Sequence, residues 1–119
     1  MFINDERILG VHGFTRTQIQ EMQNFLHEKV ISWCDSNRLN AHFAARELIG
    51  GNHRDWRNTP LQHLYVHYLH RRPNNETYAY REAAKAAGRL LKAVLDIDQC
   101  HAFDIDRNGF RTVYYIWIQ

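Results

Sequence analysis

Between Thr15 and Cys34 apolar side chains return at helical spacing: Ile19, Met22, Leu26, Val30 and Trp33 share one face, with Phe25 beside them. Gln20, Gln23, Asn24, His27 and Glu28 lie elsewhere on the wheel. Thr15 and Gln18 have the spacing of a capping box, in which each side chain bonds the other's backbone amide, so a helix is predicted over 15–36. A second apolar row, Leu61, Leu64, Tyr65, Tyr68 and Leu69, opens at Thr59-Pro60-Leu61-Gln62. There a capping-box pair coincides with proline at the first helical position, where its missing N–H is harmless. Pro73 and the Asn74-Asn75 pair end this helix. A third helix is expected from Glu76 to Leu95, capped by Asn75. Its buried stripe would hold Tyr80, Ala83, Ala84 and Ala87, then Gly88, Leu91, Val94 and Leu95. The small residues at its centre suggest that another element crosses closely there, which would offset the roughly 1 kcal/mol that a helix-interior glycine costs relative to alanine.

The remaining segments are shorter. AHFAARELIGG is either a strand leading into one turn of helix or a short helix ended by Gly50 and Gly51. GGNHRDWRN has the composition of an exposed loop. The last 19 residues, HAFDIDRNGFRTVYYIWIQ, place the turn pair Asn108-Gly109 between flanks rich in Phe, Ile, Val, Tyr and Trp, which predicts a β-hairpin.

Helix, short extended piece, helix, proline-containing turn, basic helix and hairpin is the element order of a winged helix-turn-helix domain. The chain resembles that superfamily in topology and in the pair TPLQHLYVHYLHRR–PNN–ETYAYREAAKAAGRLLKAVL followed by the hairpin around DRNG. The resemblance implies an α+β, winged-helix-like fold: three main helices and a C-terminal β-hairpin, one domain over 1–119, with a helix-turn-helix-like pair at 59–97 and a wing at 101–118. It further implies a small non-enzymatic DNA-binding protein that regulates transcription. Its basic helix 76–95 would lie in the major groove of double-stranded DNA while the hairpin touches the backbone.

Charge supports a polyanionic partner. The formal net charge is only +2, but residues 51–95 hold eight Lys/Arg against three Asp/Glu, while both flanks are acidic on balance. At about 100° per residue Arg81, Lys85, Arg89 and Lys92 fall within one sector of the third helix, away from its apolar stripe. Such a row can neutralise phosphates and release their counterions. Arg54, Arg57, Arg71 and Arg72 are candidate flanking phosphate contacts, and Trp56 either stacks a base or folds onto the core. An acidic protein surface is the alternative partner for the same cations. Met22, Phe25 and Trp33 of the helix 15–36 either form a homodimer face or fill the monomer core.

Other chemistry is weakly signalled. His63, His67 and His70 are spaced so that two imidazoles could reach one zinc ion, but the wheel sets them opposite Leu61, Leu64, Tyr65 and Tyr68, as a hydrated face would be. Cys100-His101 or His53 could complete such a set, although nothing in the spacing requires it. Neither a Walker loop, a GxGxxG, a nucleophile elbow nor an HExxH occurs, so neither a catalytic site nor a cofactor is expected. Cys34, beside Trp33, reads as packing. Two distant cysteines, the absence of a signal-peptide pattern and of a long apolar run lead to the expectation of a reduced, cytoplasmic chain without a membrane span.

Overall fold

In the computed structural model, which describes residues 1–50, 56–107 and 112–119, four helices pack with a three-stranded antiparallel sheet. Helix α1 (Arg16–Ser36) starts as its sequence dictates. The Gln18 amide donates to Thr15 Oγ1 at 3.1 Å and the Thr15 amide donates to Gln18 Oε1 at 3.0 Å, closing the capping box. Its face of Met22, Leu26, Val30 and Cys34 is buried. Strand β1 (His42–Ala44) leads directly into one turn of helix, α2 (Ala45–Ile49), which resolves the ambiguity of that segment.

Helix α3 (Gln62–Arg71) departs from expectation at its start. Thr59 does not cap it. Its hydroxyl instead donates back to the Trp56 carbonyl at 2.6 Å, and its amide donates to the same oxygen at 3.0 Å. The predicted capping box is therefore replaced by a turn over 56–61 that anchors Trp56, and Gln62 Oε1, the atom meant to reach back, is buried without a partner among the described residues. Asn75 does cap α4 (Glu76–Ile97), accepting from the Tyr78 amide at 2.9 Å.

The buried face of α4 is rotated from the predicted stripe. Ala79, Ala83, Ala86, Ala87, Leu90, Leu91, Val94 and Leu95 are buried, whereas Ala84 is exposed and Tyr80 and Gly88 are half-buried. Two neighbours explain the shift, because α4 packs against α3 on one side and α1 on the other, and the small residues let both approach.

Strands β2 (Phe103–Asp106) and β3 (Tyr114–Trp117) pair antiparallel as a hairpin, and the sheet order is β1-β3-β2. The Asn108-Gly109 turn lies outside the described residues. Register pairs Phe103 with Trp117, Ile105 with Tyr115 and Phe43 with Tyr115, so these rings and side chains share one face of the pleat. Phe43 sits 4.6 Å from the Trp33 ring of α1, 5.5 Å from Tyr115 and 6.1 Å from Phe103. Each such ring, taken from water, stabilises the fold by about 1.5–3 kcal/mol. The chain's first residues extend the other edge of β2: Phe2 bridges Phe103 in parallel, and the terminal amine donates to the carbonyls of Asp98 and His101 at 2.9 and 2.8 Å. No helix among the described residues is long and apolar enough to cross a membrane.

Candidate nucleic-acid interface

On the polar side of α4, Arg81, Lys85 and Arg89 are exposed and Lys92 is half-buried. Two of the four are held by carboxylates. Lys85 lies 3.3 Å from Glu82, one turn away, and Lys92 lies 3.7 Å from Glu6, which also takes the Arg107 guanidinium. Arg81 and Arg89 have no ion pair among the described residues.

Folding brings further cations to this helix from distant parts of the chain. Arg7 of the N-terminal segment and Arg46 of α2 join Lys85, Arg89 and Lys92 around a cleft of about 580 Å3. No carboxylate lines it among the described residues, so the cleft is a basic concavity despite the pairing of Lys92 with Glu6. Its apolar wall is made by Leu9, Val113, Tyr115 and the bare backbone of Gly88. A Cβ at Gly88 would meet nothing within 4 Å. The expected close crossing at that glycine is therefore absent, and the small residues that are fully covered are Ala79, Ala83, Ala86 and Ala87 instead. The helical cost of Gly88, about 1 kcal/mol relative to alanine, is not offset by packing among the described residues.

The flanking candidates are dispersed. Arg57 is exposed in the turn that precedes α3, and Arg54 lies outside the described residues. Trp56 is 2% exposed and its Nε1 donates to the Ile49 carbonyl at 2.8 Å, so it folds onto the core rather than offering a stacking surface. Arg71 is exposed in the last turn of α3, while the Arg72 guanidinium lies 4.3 Å over the Tyr78 ring. Arg46, with its neighbour Ala45, lines both the large cleft and a smaller one of about 270 Å3 with Trp56, Tyr80 and Ala84. Neither Arg7 nor Arg46 was signalled by sequence, since each is an isolated cation in an otherwise ordinary segment.

The histidines of α3 are pulled apart. His63 reaches Glu21 of α1 at 3.3 Å. His67 packs between Phe14 at 4.6 Å and Tyr68 at 4.9 Å, against Gly13, and burial, helped by the charges of Arg71 and His70, holds its pKa below the ordinary range. Only His70 is exposed. The expectation that all three face water is corrected for His67, which the 13–14 segment covers, while His63 stays half-exposed beside Glu21 of α1. Among the described residues no three His, Cys, Asp or Glu side chains are placed to hold a metal ion. Met22 and Trp33 lie inward, the first fully buried and the second against Phe43, leaving Ile31 as the exposed large apolar side chain of α1.

A polar node that sequence reasoning missed ties α1 to the far end of α4. Asp98, 3% exposed, accepts from the Cys100 and His101 amides at 2.7 and 2.9 Å, and lies 3.0 Å from His101 Nδ1 and 3.2 Å from His27 Nε2. The pairing spans 71 residues between His27 and Asp98, which no local pattern announces. Cys34 is buried nearby, and burial, with the charges of Asp98 and Asp35, pushes its thiol up to about 11.

Comparison with models of known families, with curated proteins and with solved structures finds no match to this chain.

Proposed function

We propose that the chain is a small non-enzymatic winged-helix DNA-binding protein that regulates transcription, with α3 and α4 as its helix-turn-helix pair and β2–β3 as its wing. The observation that carries this reading is the basic concavity beside the hairpin, where Arg7, Arg46, Lys85, Arg89 and Lys92 converge with no carboxylate among the described lining residues. The strand order β1-β3-β2, with the hairpin following the basic helix, supports it. Arg81 and Arg89, exposed and free of ion pairs among the described residues, would make the strongest phosphate contacts, and Lys85 and Lys92 weaker ones through their carboxylate partners.

Affinity for random duplex DNA, titrated against salt, tests the proposal. Binding at low salt with a negative slope of log K on log salt is expected, and Arg81→Ala and Arg89→Ala should each flatten that slope by about one unit. Lys92→Ala should change it less, because Glu6 already neutralises that charge. Absence of binding at low salt would overturn the reading.

A protein partner is the second reading, and one observation favours it. Asp104 and Asp106 share one face of β2, and Glu6 holds Arg107, so the described residues of the hairpin offer phosphate little positive charge. An acidic protein surface docking on α4 alone would tolerate that arrangement.

A further inference from the structure

The basic cleft is larger and more apolar than a phosphate backbone requires. Five cations rim it, yet Leu9, Val113 and Tyr115 belong to its wall, and at about 580 Å3 it falls in the range of small-molecule sites. A phosphate group alone would leave most of that volume empty. The floor on the α4 side is Gly88, where the helix carries no side chain although a Cβ would meet nothing within 4 Å. Glycine is unfavourable in a helix interior, and here no neighbour among the described residues takes up the space. A flat group can lie directly on helix backbone only where the side chain is missing. Planar guanidiniums at Arg46 and Arg89 can both pair with phosphate and stack on a ring.

We infer that this cleft seats a single nucleotide unit, its base against Gly88, Leu9 and Val113 and its phosphate among Arg89, Lys92 and Arg7. The choice of ligand rests on the DNA-binding reading above, since the cations are shared. The same chemistry arrives from two sources, a free mononucleotide or one nucleotide of a single strand. Because the Arg89 guanidinium cannot serve both phosphates at once, a nucleotide held in the cleft competes with duplex DNA on the exposed face of α4.

Calorimetric titration of the full chain with deoxyadenosine monophosphate, deoxyadenosine, inorganic phosphate and a single-stranded dT tetramer tests the inference. The monophosphate should bind at least about tenfold more tightly than either the nucleoside or phosphate, roughly the contribution of one charge-assisted hydrogen bond. Gly88→Leu, which fills the cleft from a helical position, should lose at least about tenfold in that affinity without lowering the melting temperature. Should the leucine variant fail to fold, Arg89→Gln should show a comparable loss. The tetramer binding more tightly than the monophosphate identifies a strand as the source, and the reverse order identifies a free nucleotide; either supports the site. Phosphate binding as tightly as the monophosphate, or a folded Gly88→Leu that binds normally, would overturn it. Duplex binding without monophosphate binding ends this inference and leaves the DNA reading standing. Monophosphate binding without duplex binding does the opposite.

Discussion

Replacing Asp98 by alanine should be the most damaging single polar substitution in this chain. Its carboxylate is buried and accepts from four donors: the Cys100 amide at 2.7 Å, the His101 amide at 2.9 Å, the His101 ring at 3.0 Å and the His27 ring at 3.2 Å. Removing one partner from a buried charged network costs about 3–5 kcal/mol, because the groups left behind are desolvated and unpaired. The His27 side chain is 45% exposed and can rehydrate, which moves the expected loss to the lower end, about 3 kcal/mol. Urea denaturation at neutral pH measures it. Asp98→Asn keeps the shape and an oxygen for the two amides, so it should lose about half as much.

Acidification provides a second readout of the same node. Burial pushes the Asp98 carboxyl up, but the hydrogen bonds from the His101 ring and from the Cys100 and His101 amides, with the His101 charge, outweigh it and hold the pKa below the ordinary 3.8. The folded chain thus binds this proton less readily than the unfolded chain. The contribution is complete above the unfolded value and is lost as pH falls through the lower folded one. The stability gap between wild type and Asp98→Asn should therefore narrow on acidification below about 3.8. A loss under about 1 kcal/mol for the alanine variant, less than one ordinary hydrogen bond of this kind, would refute the reasoning, as would a pH-independent gap.

Three further outcomes are expected. Gly88→Ala should raise stability by about 0.5–1 kcal/mol in the same urea assay, since it removes a helix penalty and adds a methyl to open space. Gly13→Ala should lower stability by about 1–3 kcal/mol, because φ is +93° and the new Cβ would lie 2.5 Å from His67 Cε1. Ellman's reagent at pH 8 should modify Cys100 but not Cys34 in the folded chain, and both after urea, because Cys100 is exposed whereas Cys34 is buried with its thiol pushed up to about 11.

What the sequence discloses and what it withholds divide along contact distance. The α1 capping box, the Asn75 cap and the hairpin strands were legible because each is decided by residues a few positions apart. The Thr59-Gln62 box failed for a tertiary reason: the Thr59 hydroxyl donates to the carbonyl of the buried Trp56 instead of accepting from an amide of the helix start. The α4 stripe was misplaced by about one residue because a wheel assumes one buried direction, whereas α3 and α1 impose two. The same limit governs the candidate site. The α4 cations were visible as a row, but Arg7 and Arg46 reach the cleft only through the packing of the N-terminal segment and α2 around that helix. Pairing also changes the value of charges a wheel treats as equal: Glu6 ties down Lys92 and Arg107, while Arg81 and Arg89 have no ion pair among the described residues. Gly88 shows the point most sharply. Sequence can register that the residue costs helix stability, but only the fold decides between a crossing helix that fills the gap and an open cleft that does not.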